Sequence, residues 1–99
     1  MTELSTLTFA NFSSHTGRAF QLRAENGECP LVLKEVRDAS RYARSGARIP
    51  FSLIFSGPPG VSFQQGSYTL EHEKLGELLL FLVPIGIENG AIQLEAVFN

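Results

Sequence analysis

The stretch Gln64 to Gly86, QQGSYTLEHEKLGELLLFLVPIG, constrains the fold more than any other. It opens as an alternating, half-polar run and ends in six consecutive apolar residues, Leu78 to Val83. A run that short, bounded by turn signals, reads as a buried strand. A strand apolar at every position needs cover on both faces. One face can look into a core. The other needs a short N-terminal helix, the connection over residues 38–50, or another subunit.

The rest of the chain supplies the partners of that strand. RAFQLRA (Arg18 to Ala24) alternates, with Phe20 and Leu22 on one side and Gln21 and Arg23 on the other. Asn26-Gly27 is a strong hairpin signal, because both central residues of a type I′ turn need φ > 0. CPLVLKEVRD is the returning strand, with Pro30 near its start. FSLIFSG (Phe51 to Gly57), GSYTLEH (Gly66 to His72), ELLLFLV (stopped by Pro84) and AIQLEAVF follow, separated by PPG, Gly76 and Asn89-Gly90. In the last strand Ile92, Leu94, Ala96 and Phe98 should point inward, and Gln93 and Glu95 outward. Before the first strand, Phe9, Phe12 and Thr16 fall at helical spacing. Thr8 can cap and Gly17 can stop a short helix over 8–16, with a strand over Thr6 to Phe12 as the alternative.

These runs predict a mainly β chain: a single small antiparallel β-barrel or roll of about six strands with a short N-terminal helix. From Phe51 onward a three- or four-stranded meander is expected. With 99 residues, the chain forms one domain over 1–99. The core draws its volume from eight Phe, with two Tyr and no Trp. Charged residues make up 18%, below the roughly 25% of typical domains, which suits a surface partly buried by a partner.

The net charge of −2 argues against bulk attraction to nucleic acid or an anionic membrane. No run approaches the ~20 apolar residues that span a bilayer. The N-terminal MTELSTLTFANF has neither a basic nor a long apolar region, so no signal peptide is expected and the chain reads as cytoplasmic on synthesis. Cys29 is the single cysteine, so no intrachain disulfide and no CxxC site can form. No cofactor is implied.

Few residues suggest chemistry. His72-Glu73 begins like a metalloprotease helix, but position 76 is Gly76 rather than histidine. No GxSxG elbow occurs, and the chain reads as no enzyme. The most suggestive cluster is Arg37, Arg41, Arg44 and Arg48, spaced as one helical face with Tyr42 between. A solvated face, or one paired with the acidic C-terminal half, is its simplest role. Arg37, Arg41, Arg44, Arg48, Tyr68 and His72 are the candidate binding residues. Leu78, Leu80, Leu82, Ile92, Gln93 and Phe98 are the candidate interface residues. A strand running to the last residues suggests an edge open to pairing.

The segments FSLIFSGP, QQGSYTLEHEKLGELLLFLVPIG and EAVFN resemble a small bacterial family of uncharacterised proteins, a domain of unknown function. Its shared patterns are QGxYxLEHxxLGxxxLFLVPIG and EAVFN. The resemblance covers most of the chain and implies no catalytic residues. It associates such proteins with phage-tail-like or tail-fibre genes. The expected function is a non-enzymatic interaction or assembly module, a homo-oligomer or a partner of other protein subunits. A role in a phage-tail-like or filamentous bacterial particle is its most concrete form. The alternative is a small-molecule-binding barrel with a pocket lined by Phe51, Phe55, Tyr68 and Phe81.

Overall fold

A computed structural model describes residues 7–24, 27–38 and 50–98. A short helix, α1 (Phe9–Ser13), precedes six strands. These are β1 (Ala19–Ala24), β2 (Gly27–Asp38), β3 (Phe51–Pro59), β4 (Gly66–His72), β5 (Gly76–Glu88) and β6 (Ala91–Phe98). They close into an antiparallel barrel in the order β1-β2-β3-β6-β5-β4. The expected barrel with an N-terminal helix is thus the observed fold.

The order joins two three-stranded meanders, β1-β2-β3 and β4-β5-β6. The first seam is β3 on β6, from Phe51↔Phe98 to Pro59↔Ala91. The second is β1 on β4, a short ladder from Gln21↔Glu71 to Arg23↔Thr69. The meander expected from Phe51 therefore holds for β4-β5-β6, whereas β3 pairs with β6 and not with β4. Closure also corrects the expected edge. β6 is flanked by β3 and, over Ala91–Glu95, by β5; β1 is flanked by β2 and, over Gln21–Arg23, by β4, so neither is an open edge along its whole length.

Register irregularities let long strands bend around the barrel. They fall at Leu33/Glu35 on β2, Ser56/Pro59 on β3 and Pro84/Gly86 on β5. The last corrects the expectation that Pro84 stops its strand. Pro84 sits at the irregularity opposite Leu94, and β5 continues to Glu88. The strand pairs with β4 from Gly76 to Leu82 and with β6 from Val83 onward.

The turns follow their chemistry to different degrees. Glu88 pairs with Ala91, so Asn89-Gly90 forms the two-residue loop, with φ of 53° and 81°. Positive φ at both positions is what a type I′ turn demands. Asn26-Gly27 is shifted by one position. Gly27 pairs with Ala24 and opens β2 at φ 127°, and residues 25–26 lie outside the described residues.

The helix is shorter than the predicted 8–16. Thr8 precedes it, its main-chain N–H donating to Asn11 Oδ1 at 2.7 Å. A turn then runs to Gly17, at φ 88°, whose N–H donates to the Leu33 carbonyl at 2.7 Å. This hydrogen bond ties the helix to β2. Phe12 is fully buried and packs on Phe51 and Phe98, with centroid separations of 5.8 and 5.4 Å. Phe51 and Phe98 stack on each other at 4.6 Å. The helix therefore plugs one end of the barrel with an aromatic ring.

Inside the wall, Phe20, Leu22, Leu31, Leu33, Leu53, Phe55, Leu70, Leu78, Leu82 and Leu94 are buried in one core. In β6 the inward and outward residues fall as predicted, Gln93 excepted. Leu94, Ala96 and Phe98 are buried in the core and Ile92 packs against it, while Glu95 lies outward. The apolar run divides by strand alternation. Leu78, Leu80 and Leu82 lie in the core, and Leu79 and Phe81 lie outside.

Candidate functional site

Alternation along β5 corrects the choice of interface residues. Leu78, Leu80 and Leu82 are core residues, as are Ile92, at its margin, and Phe98. Leu78, Leu80, Leu82 and Phe98 are buried in the barrel, and Ile92 is partly buried. Gln93 is also buried, at 6% exposure, its Nε2 donating to Ser56 Oγ at 3.1 Å and to the Ala91 carbonyl at 3.0 Å. The surface belongs to the residues between them.

On the outer wall, Leu79 is 43% exposed, Phe81 54% and Val97 59%. Val83 pairs with Glu95. Two residues along each antiparallel strand from that pair, Phe81 and Val97 lie on the same side of it. On the other flank, Thr69 faces Leu79 and Ser67 faces Phe81. These small side chains leave the two apolar ones standing clear. At one end of the face, Arg23 forms ion pairs with Glu71 and with Glu77. An apolar centre with a polar rim is the usual anatomy of a protein contact.

A second feature lies where the helix turn meets the β4–β5 turn. A cleft of about 450 Å³ is lined by Ser14, His15, Arg18, His72, Glu73 and Lys74. The His72 ring makes tilted contacts with the rings of Phe20, at 4.5 Å and 37°, and His15, at 4.4 Å and 57°. Its Nδ1 accepts the main-chain N–H groups of Lys74 and Leu75, at 3.0 and 3.2 Å. That double acceptance fixes the neutral ring as the Nε2–H tautomer. Burial pushes the His72 pKa below its ordinary value. His15, Arg18 and Lys74 push the same way, and Glu73 opposes them.

A pH dependence follows. Unfolded chains bind this proton more readily, so His72 contributes stability that is present above the ordinary histidine pKa of about 6.5 and is lost as pH falls through its lowered value. Protonating Nδ1 would also set a donor against two donors. Glu71 and Glu77 share a neighbouring surface cleft with His72 and Glu73 and are paired there with Arg23. The urea midpoint is expected to fall between about pH 7.5 and about pH 5. His72→Asn, which keeps a turn acceptor without titrating, should flatten that slope. An equal slope in both proteins would exclude His72 as the cause.

The remaining candidates scatter. Tyr68 is half-buried against Phe63, its hydroxyl donating to the Gln64 carbonyl at 2.6 Å. Arg37 lies on β2, paired with Glu35 at 2.9 Å. Arg41, Arg44 and Arg48 fall outside the described residues. The four residues expected to line a ligand pocket lie apart. Phe51 and Phe55 are fully buried core, Tyr68 packs at its margin, and Phe81 is on the outer surface. Burial raises the Cys29 thiol pKa, the opposite of what activates a nucleophile. Among the described residues, no three of His, Cys, Asp and Glu group as metal ligands, and no helix is long and apolar enough to cross a membrane.

Comparison with protein families matches residues 7–98 to DUF6916, a domain of unknown function. The chain belongs to the DUF6916 family. The match takes in α1 and all six strands, so the whole barrel with its helical plug is this DUF6916 domain. Searches of curated proteins and of solved structures gave no match.

Neither the outer face nor the cleft is legible as a whole in the sequence. Leu79 and Phe81 are hidden in a run without alternation. His15 and His72 are far apart in sequence and meet only through the fold.

Proposed function

We propose that this domain is a non-enzymatic interaction module that pairs with a second copy of itself through the outer face of β5 and β6. The observation that carries the reading is the exposure of Leu79, Phe81 and Val97 on one side of a closed wall. An isologous contact sets the same patch against itself. Leu79, Phe81 and Val97 supply its apolar part, and Glu95, outward beside Val97 and opposite Val83, belongs to its rim. The low charged fraction of 18% supports this arrangement. The contact uses side chains of the outer wall and not strand addition, since β1 and β6 each pair with strands of the barrel on both sides. On this reading the shared motif through Gly86 builds the wall that carries the patch. A place in a bacterial phage-tail-like or filamentous particle would be its larger setting.

Phe81→Glu tests the reading. The position is on the surface, so the barrel should melt as the wild type does. Burying an unpaired carboxylate in the contact costs several kcal/mol, which weakens dimerisation by at least about a hundredfold. Sedimentation equilibrium of the variant and the wild type measures the difference. Equal association constants would move the contact away from this face.

A further inference from the structure

We infer that the cleft between the α1 turn and the β4–β5 turn binds a small oxyanion, a phosphate or a phosphomonoester. Arg18, just before β1, and Lys74, in the β4–β5 turn, both line it, together with Ser14 and the two histidines. Among the described residues, neither Arg18 nor Lys74 has a carboxylate partner. Glu73 is the one acid in the lining, against those two cations.

The histidine geometry selects the ligand class. His72 Nδ1 is committed to the Lys74 and Leu75 amides, so Nε2 is the nitrogen left for a ligand. In the neutral ring that nitrogen carries the proton. A metal ion needs a bare lone pair and would have to displace it. An anion instead accepts from it. Arg18, Lys74 and His72 Nε2 are thus all donors, and Ser14 and His15 can donate as well. Oxyanions take such charge-assisted bonds well, and a guanidinium can meet two oxygens at once. The cleft is larger than a bare phosphate needs and lies in the range of small-molecule sites, about 300–1,000 Å³. A phosphomonoester with a small organic portion would fill more of it.

The test follows the side-chain resonances of His15 and His72 by NMR at constant ionic strength. Inorganic phosphate, glycerol phosphate and a chloride control are titrated into wild type, Arg18→Gln and Lys74→Gln. Both substituted residues are exposed, so folding should be kept, and the melting midpoint checks it. Saturable shifts with phosphate or the ester, weakened about tenfold or more in each variant, are expected. Tighter binding of the ester would assign the organic portion to the cleft, and equal binding would assign phosphate itself. Shifts no larger than those with chloride, or shifts unchanged in the variants, would overturn the assignment.

Discussion

Phe12→Ala is expected to destabilise the domain by about 3–5 kcal/mol, the usual cost of truncating a fully buried phenylalanine. The side chain lies against Phe51 and Phe98 at the end of the barrel. Its removal forfeits its own burial and two aromatic contacts. It also leaves a space that a closed wall cannot readily collapse to fill. Each kcal/mol lowers the melting midpoint by roughly 4–8 °C in a domain of this size. A thermal scan should therefore show a fall of at least about 12 °C. Phe9→Ala, one turn back on the partly exposed side, serves as the comparison and should cost far less. Similar costs for the two would mean that the helix does not plug the barrel as described.

The second large effect is expected from Gln93→Pro. Gln93 lies in β6, opposite Ser56 on β3 and next to the irregularity that pairs it with Gly86 on β5. Proline removes a main-chain donor inside a ladder flanked on both sides, where proline is not normally found. It also removes the side-chain donor to Ser56 Oγ and to the Ala91 carbonyl. These acceptors are partly buried, so their loss adds to that of the ladder donor, and the total should reach about 2 kcal/mol or more. On an open edge, the same substitution would leave the fold intact and reduce only association. Urea unfolding distinguishes the two. An unchanged midpoint would contradict closure of the barrel at β6.

The contrast between β5 and β6 shows how much of the fold is legible in the sequence. β6 alternates apolar and polar residues, so the pattern alone places Leu94, Ala96 and Phe98 in the core and Glu95 on the surface. β5 is apolar from Leu78 to Val83, and period alone cannot say which residues face in. An interface drawn through Leu78, Leu80 and Leu82 is therefore one residue out of phase with the surface. Closure is hidden for another reason. The β1–β4 seam joins residues some fifty positions apart through a short ladder, and local pattern carries no trace of it. The same distance in sequence hides the cleft. His72 reads as a strand-end histidine, but its double acceptance depends on the turn through Lys74 and Leu75, and its contact with the His15 ring on where the α1 turn comes to rest. Pro84 misleads because proline usually ends a strand. Here an irregularity accommodates it.

Molar mass of the wild type by light scattering, across a concentration series at low and high salt, tests the central claim most directly. Pairing through Leu79, Phe81 and Val97 predicts a rise from monomer towards dimer with concentration. Salt should leave that rise intact, because screening weakens charged contacts and not apolar ones. A monomer persisting at hundreds of micromolar in both salts would contradict it.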